Sequence, residues 1–334
     1  MIRGLLTSFV LVLAAPSLAA AQTQAPPTMS FGDAAAMLAK SCGADVAATC
    51  RGVNLDSTRL KDCLYKNQDV MSAQCKADYP KALDAIQKHI AARGNVARQC
   101  EYEIVKKCHG KAKDAPKYLG CLLAESTVSA RCSQAIGDAG YRADSDIVTK
   151  LGGLETPPAL DLVTLRQQAG ERSKSRGKNE PPPQKRPLIA PELTKLPTFN
   201  VDIQFDADTP IVRPDSYQTI GRIADALVNS TLLPFEFLIV GHVESGGRRD
   251  SAVLLSQRRA DAVRDILINT FKISAKRLQS VGLGEEQLLD PARPNAAANN
   301  QTQIMTVGKV PEPSAQPVAA TKPASPAKKP AKKR

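Results

Sequence analysis

The chain has 334 residues, 43% hydrophobic but only 4% aromatic and without Trp, which suggests two domains with small aliphatic cores and excludes a large aromatic one. The formal net charge is +12, but residues 166–195 carry a surplus of five positive charges and residues 309–334 a surplus of six. The charge therefore characterises two Pro-rich stretches, not the domains, and the plainest expectation for both is a solvated segment.

Residues 1–21 have the layout of a secretory signal. Arg3 supplies the positive start, residues 5–15 the apolar run and Ala19-Ala20-Ala21 a small-residue cleavage site. The alternative is an uncleaved anchor, for which the run is short. The first Cys is Cys42, far from the cleavage site, which argues against a lipid-anchored N-terminus. No later segment has the apolar length of a spanning helix, and no long series of alternating strands suggests a membrane barrel. Export to the periplasm is the expectation. In that setting the basic stretches have no nucleic-acid partner; anionic lipid, lipopolysaccharide or wall carboxylates are the available anions.

All eight Cys lie between positions 42 and 132. Cys42, Cys50 and Cys63 recur as Cys100, Cys108 and Cys121 at an offset of 58, and Cys75 recurs as Cys132 at 57. Neighbouring residues recur too, so residues 31–136 read as one Cys-rich helical domain with two repeats, 38–79 and 96–136. An even Cys count behind a signal favours disulfides. Zinc is the weaker alternative because no Cys-x2-Cys knuckle occurs, and His89 and His109 read as surface residues. No other metal or cofactor is implied. Helical spacing of Leu60, Cys63 and Leu64, with Gly52 and Gly110 at the turns, predicts a helical hairpin per repeat. An antiparallel hairpin pairs Cys50 with Cys63 and Cys42 with Cys75, then Cys108 with Cys121 and Cys100 with Cys132, although four Cys permit three connectivities. The spacing resembles the cysteine-rich repeat of a Golgi glycoprotein, a family without a single chemistry. A protein-contact surface for other envelope proteins is the expected role.

Residues 137–196 read as a linker, rich in Pro and charge from 157, with a short helix near Leu160–Leu165. A tether of about forty residues at about 3 Å per residue reaches on the order of 100 Å, enough to let two domains work apart. Residues 309–334 are Pro, Ala and Lys and read as a disordered basic tail.

Residues 197–308 alternate strands and helices. Phe199 to Phe205 alternate apolar and polar, Ile220, Ile223, Ala224 and Leu227 follow a helical period, and Phe235–Val240 is an apolar central strand. Asp250 is placed to cap a helix carrying Val263, Ile266 and Leu267 inward, and short strands near 277–283 and 301–307 complete a small α/β sandwich, βαβαββ. The whole chain is then α+β.

Within it stand Gly241-His242-Val243-Glu244 and Leu255-Ser256-Gln257-Arg258-Arg259-Ala260, together with IQFDADTPIVRPDS and SVGLGEEQLLDP. These motifs resemble the OmpA-like domain, a peptidoglycan-associating module of bacterial outer-membrane and cell-envelope proteins. The resemblance implies a non-catalytic role in which an acidic and a guanidino side chain grip the ammonium and carboxylate of diaminopimelate in the wall stem peptide. Those roles fall on Glu244 and Arg259. A bidentate Arg suits a carboxylate better than Lys does. Gly247, Arg248, Arg249 and Ser256 stand where they would support the site, while His242 reads as a structural loop residue. Four departures bear on this: Glu244 for the family's Asp, Val243 for Thr, Ala252 for Asn, and Asn299-Asn300-Gln301 for Asn-Arg-Arg. The alternative is an OmpA-like fold that has lost wall binding and serves as an interaction scaffold. No serine-hydrolase elbow, His-Glu-x-x-His or Cys–His pattern suggests an enzyme.

Overall fold

The computed structural model describes residues 28–310 except 57, 111–114, 144, 175–180 and 183–184. The predicted signal at 1–21 and nearly all of the tail lie outside the described residues. Among the described residues no helix is long and apolar enough to cross a membrane.

The N-terminal part is helical: α1 (Phe31–Thr49), α2 (Arg59–Lys66), α3 (Ala73–Gln99), α4 (Glu101–Lys106), α5 (Ala115–Ala124) and α6 (Ala130–Asp138). Disulfides join Cys42 to Cys75, Cys50 to Cys63, Cys100 to Cys132 and Cys108 to Cys121. The repeat extends to the helix caps. The Ser72 and Ser129 hydroxyls accept the Cys75 and Cys132 amide N–H at the starts of α3 and α6. An acid three residues after each repeat's first Cys holds the same serine: Asp45 accepts the Ser72 N–H at 2.8 Å, and Glu103 accepts the Ser129 N–H at 2.9 Å. Each capping serine thus satisfies one orphan amide and is itself fixed by a carboxylate.

The C-terminal part follows the order β1 (Thr198–Val201), α9 (Tyr217–Val228), β2 (Phe235–His242), α10 (Arg249–Asn269), β3 (Leu278–Gly284) and β4 (Thr302–Lys309), after α7 (Asp146–Leu151) and α8 (Leu162–Lys174). The sheet order is β1-β4-β2-β3, with β2 and β3 parallel and the other pairs antiparallel. β1 ends at Val201, shorter than its alternating pattern predicts. The Gln204 N–H turns to the Ser216 hydroxyl at 2.8 Å, and Phe205 forms an isolated bridge with Val212 across a turn.

Strand alternation divides the core. Phe237, Ile239 and Leu278 face α9 and α10, while Leu238, Val240, Val281 and Leu283 face the other way. α10 lies directly on the glycines of β2 and β3: a Cβ at Gly241 would meet the Ser256 carbonyl oxygen at 2.2 Å, and one at Gly282 would meet the Gln257 nitrogen at 2.1 Å. Backbone cannot yield as a side chain does, so Gly282→Ala is expected to cost about 3 kcal/mol. Gly120→Ala, in α5 with open space around its Cβ, should be neutral or stabilise by up to about 1 kcal/mol. Urea denaturation midpoints check both.

The linker expectation is corrected. α7 packs near β1 and β4, and the Thr306 hydroxyl donates to the Leu151 carbonyl at 2.6 Å. Leu162, Leu165, Ala169, Ile189, Ala190 and Leu193 cover the sheet face opposite α10. The β2–β3 region is apolar on both faces, and this segment supplies the second cover. The expected separation of two domains is corrected as well. α1 crosses α9 at paired glycines, where a Cβ on Gly221 would meet the Phe31 carbonyl oxygen at 2.5 Å. The Asp225 carboxylate accepts the Phe31 and Gly32 N–H groups at 2.8 Å each, capping α1 from the other domain. Phe31, Leu38 and Ile86 share one core with Tyr217, Leu227 and Phe271. The second repeat keeps a core of its own around Val96, Ile104, Leu122 and Ile136.

Candidate ligand-binding site

The end of β2 delivers Glu244, and the middle of α10 delivers Arg259. Although fifteen positions separate them in sequence, both line one cleft of about 310 Å³ with Gln204, Phe205, Asp208, Val243 and Asn300. Arg259 is half-buried. Its Nε donates to the Thr209 carbonyl at 3.0 Å, and its guanidinium carbon sits 4.9 Å from the Phe205 ring centroid. Burial lowers its pKa, opposed by the charges of Asp208 and Glu244. Among the described residues no carboxylate comes within 4.0 Å of Arg259. The head is therefore oriented by a backbone carbonyl and an aromatic face, and Glu244 feels its field without closing an ion pair on it. That arrangement presents a positive and a negative group to one cavity.

Residues 204–302 match the OmpA family.

The chain is 34% identical to outer membrane porin F of Pseudomonas aeruginosa over 113 residues, 33% of this chain and 30% of the relative. It is 33% identical to the peptidoglycan-associated lipoprotein of Brucella melitensis over 92 residues, 27% of this chain and 53% of that one. The solved structure of the cell wall anchor of the T6SS from Pseudomonas aeruginosa aligns at 24% identity with a TM-score of 0.27, over 34% of this chain and 80% of the other. The chain thus spans from under a third to about half the length of these two curated relatives.

The supporting residues fall apart into different environments. Gly247 and Arg248 line a neighbouring cavity of about 460 Å³ that shares Asp208, Val243 and Glu244 with the cleft. Arg248 is engaged with Asp250 at 2.7 Å, and α10 has no side-chain cap, so Asp250 acts in its first turn and not as the predicted cap. Arg249 is turned inward. Its Nε lies 2.9 Å from Glu285 and its Nη2 contacts Glu286, away from the cleft. Ser256 is buried, accepting the Gly284 N–H at 2.9 Å and donating to Val253. Both serve the packing of α10 on β3. Sequence reasoning missed the cleft roles of Asn300, whose Oδ1 accepts the Glu244 N–H at 3.3 Å, and of Asp208. Asp208 has φ of 55°, at the turn that carries Thr209.

His242 is a buried member of the OmpA domain, 2.9 Å from Gln303, and burial lowers its pKa to about 4. His89, expected at the surface, is buried at the domain junction against Phe31, and burial lowers it to about 4 too. Both stay neutral in the fold after the unfolded chain has protonated at about 6.5. Their stabilisation is complete above that pH and is lost as pH falls towards 4, up to about 3 kcal/mol each. Asp225, raised to about 6 by burial, runs the other way, losing stability as pH rises from about 4 to 6. Two groups against one leave a net fall on acidification. His242→Gln should flatten the dependence of the urea midpoint between pH 7 and pH 4.5; an unchanged slope would assign the effect elsewhere.

Proposed function

We propose that this protein is a non-catalytic component of the bacterial envelope, exported to the periplasm, that binds peptidoglycan through its OmpA domain. Glu244 takes the ammonium and Arg259 the carboxylate at the free end of a diaminopimelate side chain in the stem peptide. The observation that carries this reading is the shared cleft: Arg259 faces one cavity with the acids Glu244 and Asp208, and the cation closes no ion pair of its own among the described residues. A zwitterion completes both, through charge-assisted hydrogen bonds. The names of the relatives support the substrate class, since one is called peptidoglycan-associated. The Cys-rich helices then ride on the wall-binding domain as one packed body, not at the end of a free tether.

Co-sedimentation of the full chain with purified sacculi tests the proposal. Wild-type protein should pellet with the wall, and free diaminopimelate should release it. Cadaverine, which keeps both amines and no carboxylate, should not. A wild type that stays in the supernatant leaves the interaction-scaffold alternative in its place.

A further inference from the structure

The cleft has a wall that belongs to the OmpA domain but is held in part from outside it. Residues 206–212 form a turn whose consecutive carbonyl groups, at Thr209 and Pro210, are taken by two different side chains. Arg259 Nε takes the first at 3.0 Å, and Asn54 Nδ2 takes the second at 3.2 Å. Asn54 also accepts the Val212 N–H on its Oδ1 at 2.7 Å. Its amide therefore spans the turn with one donor and one acceptor, as a backbone segment would.

Asn54 lies between α1 and α2 of the first cysteine repeat, inside the loop closed by Cys50–Cys63. That loop is itself anchored. Leu55 is 1% exposed, and its carbonyl accepts the Thr270 hydroxyl from the end of α10 at 2.7 Å. The turn thus separates two cavities. The ligand cleft, about 310 Å³, lies on one side; a second of about 370 Å³, lined by Cys50, Arg51 and Val53, lies on the other, and Ala207 lines both. A segment with space on two sides depends on its few cross-links for its position. Arg259 takes its orientation from that segment.

Resting on the wall-binding reading, we infer that Asn54 is a positioning residue for Arg259, so that the first cysteine repeat is a working part of the ligand site. Asn54 touches no ligand. It holds the next carbonyl along, at Pro210, and the Val212 N–H, and so the turn from which Thr209 aims the guanidinium; a misplaced turn leaves Arg259 charged but wrongly directed.

The test uses the full-length protein and a soluble muramyl tripeptide ending in diaminopimelate, with affinity measured by calorimetry. Asn54→Ala should weaken binding about tenfold while Arg259 remains present. In the Arg259→Ala background the same change should have no further effect, because the two act as one unit. Asn54→Asp, which keeps the acceptor for the Val212 N–H, should lose less than Asn54→Ala and covers the case in which the alanine variant does not fold. Hydrogen exchange at Val212 should accelerate in Asn54→Ala. Full wild-type affinity in a folded Asn54→Ala protein, or losses that add completely with Arg259→Ala, overturns the inference while leaving wall binding intact. A wild type without affinity, or one indifferent to Arg259→Ala, overturns both.

Discussion

Replacing Arg259 with Ala is expected to weaken peptidoglycan binding by about 2–5 kcal/mol, roughly thirtyfold to several thousandfold, with folding unchanged. The large figure follows from the setting of the side chain. The guanidinium is half-buried over Phe205 and fixed by Thr209, so ligand binding requires little further ordering of it. Its loss leaves the ligand carboxylate in a partly shielded cleft beside Glu244 and Asp208, where the remaining charges repel it. Arg259→Lys keeps the charge but not the fork and should recover only part of the affinity. Glu244→Gln removes the partner of the ammonium and should fall in the same range, whereas Glu244→Asp should retain binding. Calorimetry with the muramyl tripeptide measures all four, and circular dichroism checks the fold. Wild-type affinity in both Arg259→Ala and Glu244→Gln would move the ligand to another surface.

The largest expected effect on stability lies at the start of α10. Arg249, Glu285 and Glu286 are all about 5% exposed, and two arginines from the segment covering the sheet reach the same carboxylates. Arg186 is 2.9 Å from Glu285, and Arg172 is 3.6 Å from Glu286. Arg249→Ala removes the most deeply placed cation and leaves two buried acids on partners that are nearer solvent. Breaking a buried ion pair by deleting one member costs about 3–5 kcal/mol, because the surviving charge remains desolvated. Arg172→Ala, at a site with more solvent access, should cost about 1 kcal/mol or less. α8 and residues 185–196 are held by these pairs as well as by their apolar residues, so Arg249→Ala should also increase proteolysis there. An unchanged urea midpoint in Arg249→Ala would show that Arg186 and Arg172 suffice.

Much of this protein is written locally in its chain. Helical spacing with paired cysteines is enough for disulfide-bonded helical hairpins, and the offset of 58 places the capping acids Asp45 and Glu103 in register. Period-two and period-3.6 patterns were enough for the βαβαββ order, because side-chain direction depends only on the backbone and each element's buried face must be apolar. The motif glycines Gly241 and Gly282 are legible for the same reason: only their lack of Cβ lets α10 lie on the strands.

What the chain did not disclose is where unlike segments meet. Composition marked residues 166–195 as solvated, because Arg and Pro usually are. Here Arg186 is drawn inward by Glu285 and Glu286, about a hundred positions away, and no local pattern announces that pairing. Phe31 and Gly32 find Asp225, and Asn54 finds Val212, over still larger separations. Local sequence determined the elements, since helix, strand and cap depend on neighbours a few residues apart. Only the tertiary structure decided that the cysteine repeats, the supposed tether and the cleft of Glu244 and Arg259 form one packed body. Those contacts join groups far apart in the chain, whose partners are chosen by shape and charge once the elements exist.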